Sequence, residues 1–87
     1  MKEKKLKAVG EVSHYYSKAG VAIVDLKGPL SVGDEVVISG ATTNLKQTVN
    51  SMQIEHKNVT KAKKGQSVGL KVNNRVRERD LIYKTIE

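Results

Sequence analysis

The stretch Gly28-Pro29-Leu30-Ser31-Val32-Gly33-Asp34-Glu35-Val36-Val37-Ile38 decides how this chain is read. Pro29 cannot donate to a strand ladder and sets its own φ, so it ends whatever precedes it. Val32-Gly33-Asp34 then reads as a tight turn, and Glu35-Val36-Val37-Ile38 resumes as a strand. A turn this short between apolar runs this brief is the grammar of β structure, and the same grammar continues outward on both sides.

Towards the amino terminus, Val21-Ala22-Ile23-Val24-Asp25-Leu26 is a nearly continuous apolar run, which predicts a strand covered on both faces. Ser17 to Gly20 connects it to an earlier strand over Leu6 to His14, with Val9 and Val12 as its apolar positions. Towards the carboxyl terminus, Gly40 to Asn44 turns the chain into a strand or strand pair spanning Leu45 to Glu55. Val68, Leu70 and Val72 alternate with Ser67, Gly69 and Lys71, the period of a half-buried strand. Asn73 to Asp80 is a polar, Arg-rich loop with room for a helical turn, and Leu81-Ile82-Tyr83 begins a closing strand. Six or seven strands at this spacing predict a small barrel or sandwich. Closure would remove exposed strand edges, a hazard for so Val-rich a chain.

Composition agrees. The 87 residues include 12 Val and 5 Ile against 6 Leu, with no Phe or Trp. Branched side chains are stiff at χ1 and suit pleated strands. The length predicts one domain, taken as residues 7–87 behind a basic, frayed segment 1–6. Cysteine is absent, so no disulfide or thiolate metal site exists, and a cytoplasmic setting is expected. No apolar run has the length of a signal peptide core or a membrane span.

The net charge of +7 is segregated: +3 over residues 1–20, −2 over 21–55 and +6 over 56–87. A basic face of this kind attracts polyanions, nucleic acid first among them. Lys57, Lys61, Lys63 and Lys64 fall in one acid-free run, which reads as a loop, and Arg75, Arg77 and Arg79 in the last long loop. Lysine offers point charges to phosphates and arginine a planar fork. Of the adjacent Tyr15 and Tyr16, one must face outward, where it could stack on an unpaired base. These nine residues form the candidate RNA-binding set.

Three groups of residues resemble the second, β-barrel domain of elongation factor Tu and of archaeal and eukaryotic elongation factor 1-alpha. They are Val9-Gly10-Glu11-Val12, then Leu30-x-Val32-Gly33-Asp34-Glu35-Val36, then Val49-x-Ser51-Met52 with His56, Ala62, Gly65 and Val68-Gly69-Leu70. In the second group Gly supplies a φ > 0 position and Asp can bond nearby backbone N–H groups. The resemblance runs from about Lys7 to Thr85. It implies an all-β fold, a small closed Greek-key barrel of six or seven strands. It also implies a free-standing elongation factor-like protein that contacts tRNA, rRNA or the ribosome. Gln66 departs from the usual Asp after Gly65, and Glu78-Arg79-Asp80 stands where many members have Gly.

No phosphate-binding Gly-x-x-x-x-Gly-Lys-Ser/Thr loop is present, so GTP binding by this chain is not expected. His14 and His56 are the only histidines, and neither has the sequence context of a nucleophile–base pair or metal site. The expectation is a non-catalytic binding module that needs no cofactor or metal and associates with no membrane. The alternative is a protein-interaction subunit that docks onto a separately encoded enzyme or translation factor through a near-neutral Val21–Glu55 surface. Similar barrels end collagenase-like peptidases.

Overall fold

The computed structural model describes residues 5–86, with side chains from Leu6 to Thr85. Every regular element among them is a strand: β1 (Lys5–Tyr16), β2 (Val21–Leu26), β3 (Leu30–Ser31), β4 (Glu35–Ser39), β5 (Asn44–Thr48), β6 (Met52–Ile54), β7 (Lys57–Val59), β8 (Lys61–Ala62), β9 (Ser67–Lys71) and β10 (Leu81–Ile86). Eight of them form one antiparallel sheet in the order β5-β4-β10-β1-β2-β9-β6-β7, and β3 pairs with β8 as a separate ribbon. The frayed segment expected over residues 1–6 falls mostly outside the described residues.

The all-β expectation holds, but the closed barrel of six or seven strands does not. The edge strands β5 and β7 do not pair with each other, so the sheet curls around its core and stays open. Strands of two and three residues (β3, β6, β7, β8) are too short to show a period, which is why the sequence understates their number and reads β7 and β8 as a basic loop.

What crosses the open seam is irregular. Val32 N donates to Thr60 O and Gly33 N to Val49 O, so the Ser31–Asp34 turn ties the chain beyond β7 to the chain beyond β5. Beside it the buried amide of Gln47 does the work of a missing strand: Nε2 donates to Lys71 O at 2.9 Å, and Oε1 accepts from Asn73 N at 2.8 Å. Backbone groups buried without a neighbouring strand need partners of this kind.

Packing explains the apolar spacing. Val9 and Val12 are both buried although three residues apart, which strict alternation forbids. A register shift between Ala8 and Gly10 changes the parity of β1. Gly10 is needed there, because a Cβ would meet Val24 Cγ1 at 2.6 Å. The core joins these valines to Ala22, Val24 and Leu26 of β2, Leu30, Val36, Ile38, Leu45, Val49, Met52, Val68, Leu70 and Ile82. Val76, from the Arg-rich segment, is also buried in it.

Three turns share one design. In Ser31–Asp34, Lys63–Gln66 and Arg77–Asp80 the first N–H donates to the side chain of the fourth residue, at 2.8–2.9 Å, and the fourth N–H returns to the first carbonyl. The third residue has positive φ in each: Gly33 at 97°, Gly65 at 91° and Arg79 at 74°. Gln66 therefore performs the acceptor role that Asp34 and Asp80 perform, and Arg79 holds a conformation suited to glycine.

Candidate functional site

The nine residues singled out for RNA contact come from several elements. Lys57 lies on β7, Lys61 on β8, and Lys63 and Lys64 in the turn that bonds to the Leu26 end of β2. The Arg75–Arg79 segment leaves β9 at the opposite end of β2, where Val72 N donates to Gly20 O, and returns against Val12. Tyr15 is half-buried on the core and joins Arg75, Val76, Arg77 and Glu78 around a shallow depression of about 410 Å³. Tyr16 turns outward into a different site.

The better-formed concavity lies on the outer face of the sheet, across β1, β2, β9 and β6. It is an open groove of about 390 Å³. Val21 and Ile23 supply apolar floor from β2. The sequence reads β2 as covered on both faces, yet only Ala22, Val24 and Leu26 enter the core, and the other face stays partly open. Gly69 sits opposite Ile23 on one side and Gln53 on the other. With no side chain there, a slot opens between Ile23 and Gln53, two strand spacings or roughly 9–10 Å across.

One wall is the β6–β7 hairpin. Ile54 pairs with Lys57, so Glu55 and His56 form a two-residue loop, with φ of 51° and 65°. Both central positions of such a turn need φ > 0, which favours Asn-Gly. Holding Glu and His there costs about 1–2 kcal/mol per residue. Tyr16 borders the groove too, its ring edge-on to His14 at 4.4 Å between centroids.

Polarity runs along the groove. At one end Ser67, which lines the groove with Glu55, donates its Oγ to Asp25 Oδ1. At the other, Lys71 Nζ donates to Ala19 O. Neither Asp25 nor Glu55 has an ion-pair partner among the described residues, although the chain carries +7.

The histidines do other things. His14 Nδ1 lies 3.3 Å from Glu78 Oε2 on the exposed surface, and Ser13 Oγ donates to Ile23 O. Among the described residues no three His, Cys, Asp or Glu side chains gather as a metal site would require. No helix there is long and apolar enough to cross a membrane.

Residues 4–82 match the model of the peptidase family U32 C-terminal domain. The chain belongs to that family. It is 46% identical over 76 residues to an uncharacterized protease of Methanocaldococcus jannaschii, covering 86% of this chain and 19% of that protein. It is 40% identical over 78 residues to a collagenase of Porphyromonas gingivalis, covering 87% of this chain and 22% of that protein. This U32-type domain therefore spans about a fifth of the length of the curated relatives it matches. The fold matches the crystal structure of the C-terminal domain of a protein described as a U32 peptidase from Geobacillus thermoleovorans. The TM-score is 0.84 at 25% identity, over 90% of this chain and 91% of that one.

These relatives overturn the elongation-factor assignment, and with it the translation setting and the RNA or ribosome partner. The misreading has a physical source. Leu-x-Val-Gly-Asp-Glu-Val specifies a turn with φ > 0 at Gly33 and a carboxylate on Ser31 N, and any scaffold that needs this turn can carry it. The groove residues were legible only in part: Val21 and Ile23 stand at the alternate positions of β2, but nothing in sequence places Gly69 and Glu55 beside them.

Proposed function

We propose that this chain is a non-catalytic, polypeptide-binding module of the U32 peptidase type, with residues 7–87 acting as one domain. The observation that carries this reading is the apolar groove on the outer sheet face, walled by Glu55 and His56. Its relatives bear the names protease and collagenase, so the macromolecule handled nearby is a polypeptide. The described side chains support binding over cleavage: His14 is engaged with exposed Glu78, Ser67 Oγ in the groove is engaged with Asp25, and no metal-holding cluster is found among the described residues. The Val21–Glu55 surface, read from sequence as a contact face, contributes Val21, Ile23, Gln53 and Glu55 to this groove. The lack of cysteine supports a reducing compartment such as the cytoplasm.

The test uses the purified chain with heat-denatured collagen and unfolded casein. Immobilised polypeptide should retain the chain, and prolonged incubation should yield no new fragments. Cleavage by the pure chain, or failure to bind either polypeptide at low salt, would refute the reading.

A further inference from the structure

We propose that the groove selects an extended peptide segment with an apolar side chain in the Gly69 slot and a lysine or arginine on the Glu55–Asp25 end. This deepens the polypeptide-binding reading and rests on it. Three independent features of the structure point to the same place.

The first is shape. Across the outer face, Ile23, Gly69 and Gln53 stand in one row on β2, β9 and β6. The central member has no side chain, and both flanking members do. A Cβ added at Gly69 would make only ordinary contacts, at 3.4 Å to Val21 Cγ1 and 3.8 Å to Ile23 Cδ1. The fold therefore does not require glycine there, and Val21 and Ile23 form the apolar flank of the slot that its missing side chain leaves. An extended peptide presents every second side chain to the surface below it.

The second is charge complementarity. The chain is strongly basic, yet the groove is lined at one end by Glu55 and by Ser67, whose hydroxyl holds the Asp25 carboxylate, and neither carboxylate has an ion-pair partner among the described residues. The opposite end carries the Lys71 ammonium beside Ala19. A segment with a basic residue flanking its apolar anchor matches that polarity, and an acidic one opposes it.

The third is strain. Glu55 and His56 occupy the two turn positions that favour Asn and Gly, and both side chains line the groove. A strained conformation persists where its side chains are needed, and such outliers cluster at ligand clamps. Relaxing this turn and weakening the groove should therefore be the same mutation.

The experiment is a heteronuclear NMR titration of the full chain with acetylated, amidated octapeptides of Gly and Ser. One bears an adjacent Leu and Lys, the other an adjacent Leu and Glu. The Leu–Lys peptide should shift the amides of Val21, Ile23, Gly69 and His56, and bind at least fivefold tighter than the Leu–Glu peptide. Gly69→Leu fills the slot and should lose at least tenfold affinity while remaining folded. Glu55→Gln should lose roughly fivefold for the Leu–Lys peptide alone, the scale of one exposed ion pair. Glu55→Asn combined with His56→Gly should melt higher than wild type by at least about 5 °C and bind more weakly. If wild type binds both denatured polypeptide and the peptides, and Gly69→Leu and Glu55→Gln bind them equally well, the groove assignment is overturned while the polypeptide-binding reading stands. If wild type binds no polypeptide at all, both fall. A concentration-dependent dimer that Gly69→Leu abolishes would show a second copy to be the occupant and overturn the proposal.

Discussion

Replacing Gln47 asks whether a side chain can stand in for a strand. Its amide spans the open seam, donating to Lys71 O and accepting from Asn73 N, and the side chain is almost fully buried. Gln47→Ala removes both bonds and leaves a partly buried carbonyl and a partly buried N–H without partners. Each orphaned group costs about 1–3 kcal/mol when fully buried, and partial exposure holds both to the lower part of that range, so a loss of about 2–4 kcal/mol is expected. A domain of this size has a total stability of about 4–13 kcal/mol, so the loss is a large share of it. Urea denaturation followed by far-UV circular dichroism should show a midpoint lower by about 1–3 M for a slope near 1.5 kcal/mol/M. Gln47→Glu separates the two bonds. Its carboxylate still accepts from Asn73 N but faces Lys71 O with no proton to give. Burial and that carbonyl raise the introduced carboxyl's folded pKa above its unfolded value of about 4.3. The folded state then favours the protonated form, which can donate to Lys71 O. The deficit relative to wild type should be small below the unfolded pKa and grow as pH rises, levelling off above the folded pKa. A Gln47→Ala variant within 0.5 kcal/mol (~) of wild type, or a Gln47→Glu deficit that is flat with pH, would refute the role given to this amide.

The turns supply three further expectations, each read by thermal or urea denaturation. Asp34→Ala removes the acceptor for Ser31 N and the carboxylate 3.7 Å from Lys84 Nζ, and should cost about 1–2 kcal/mol, with Asp34→Asn recovering most of it. Arg79→Gly relieves φ of 74° and should stabilise by about 1 kcal/mol; a loss would mean the Arg79 side chain holds the fold together. A Cβ at Gly40 would overlap the carboxylate of buried Asp80, so Gly40→Ala should destabilise by about 2 kcal/mol or more, and an unchanged melting temperature would rule out that close approach.

How much could be seen without coordinates depended on which interactions are local. The turn at Val32–Asp34, the alternation of Ser67–Lys71 and the strand-ending Pro29 are local, and the structure has a turn, a strand and a gap between β2 and β3 there. The bulge that lets Val9 and Val12 share a face was not visible, because the register shift depends on β10 and Gly10's contact with β2. The open seam was invisible for a related reason. Closure is decided by whether β5 and β7 meet, and β7 has only three residues. Charge order along the chain did not say where the charges would lie: the Lys63–Lys64 turn bonds to the Leu26 end of β2, whereas the Arg75–Arg79 segment follows the strand whose Val72 N bonds to Gly20 O and returns against Val12. The groove needed the sheet order itself, since Gly69 matters only because it falls between Ile23 and Gln53.

The pairing of β1 with β10 has one more consequence. Lys5 stands opposite Ile86, so the chain enters and leaves the sheet at neighbouring points. β1 then runs twelve residues to Tyr16 at the groove, on the order of 30 Å away. A carrier protein joined at either end, or at both as an insertion, would hold the module by one pole and leave the other free. The fold is in this sense a short arm, with the groove towards the tip that lies away from the Lys5–Ile86 pair.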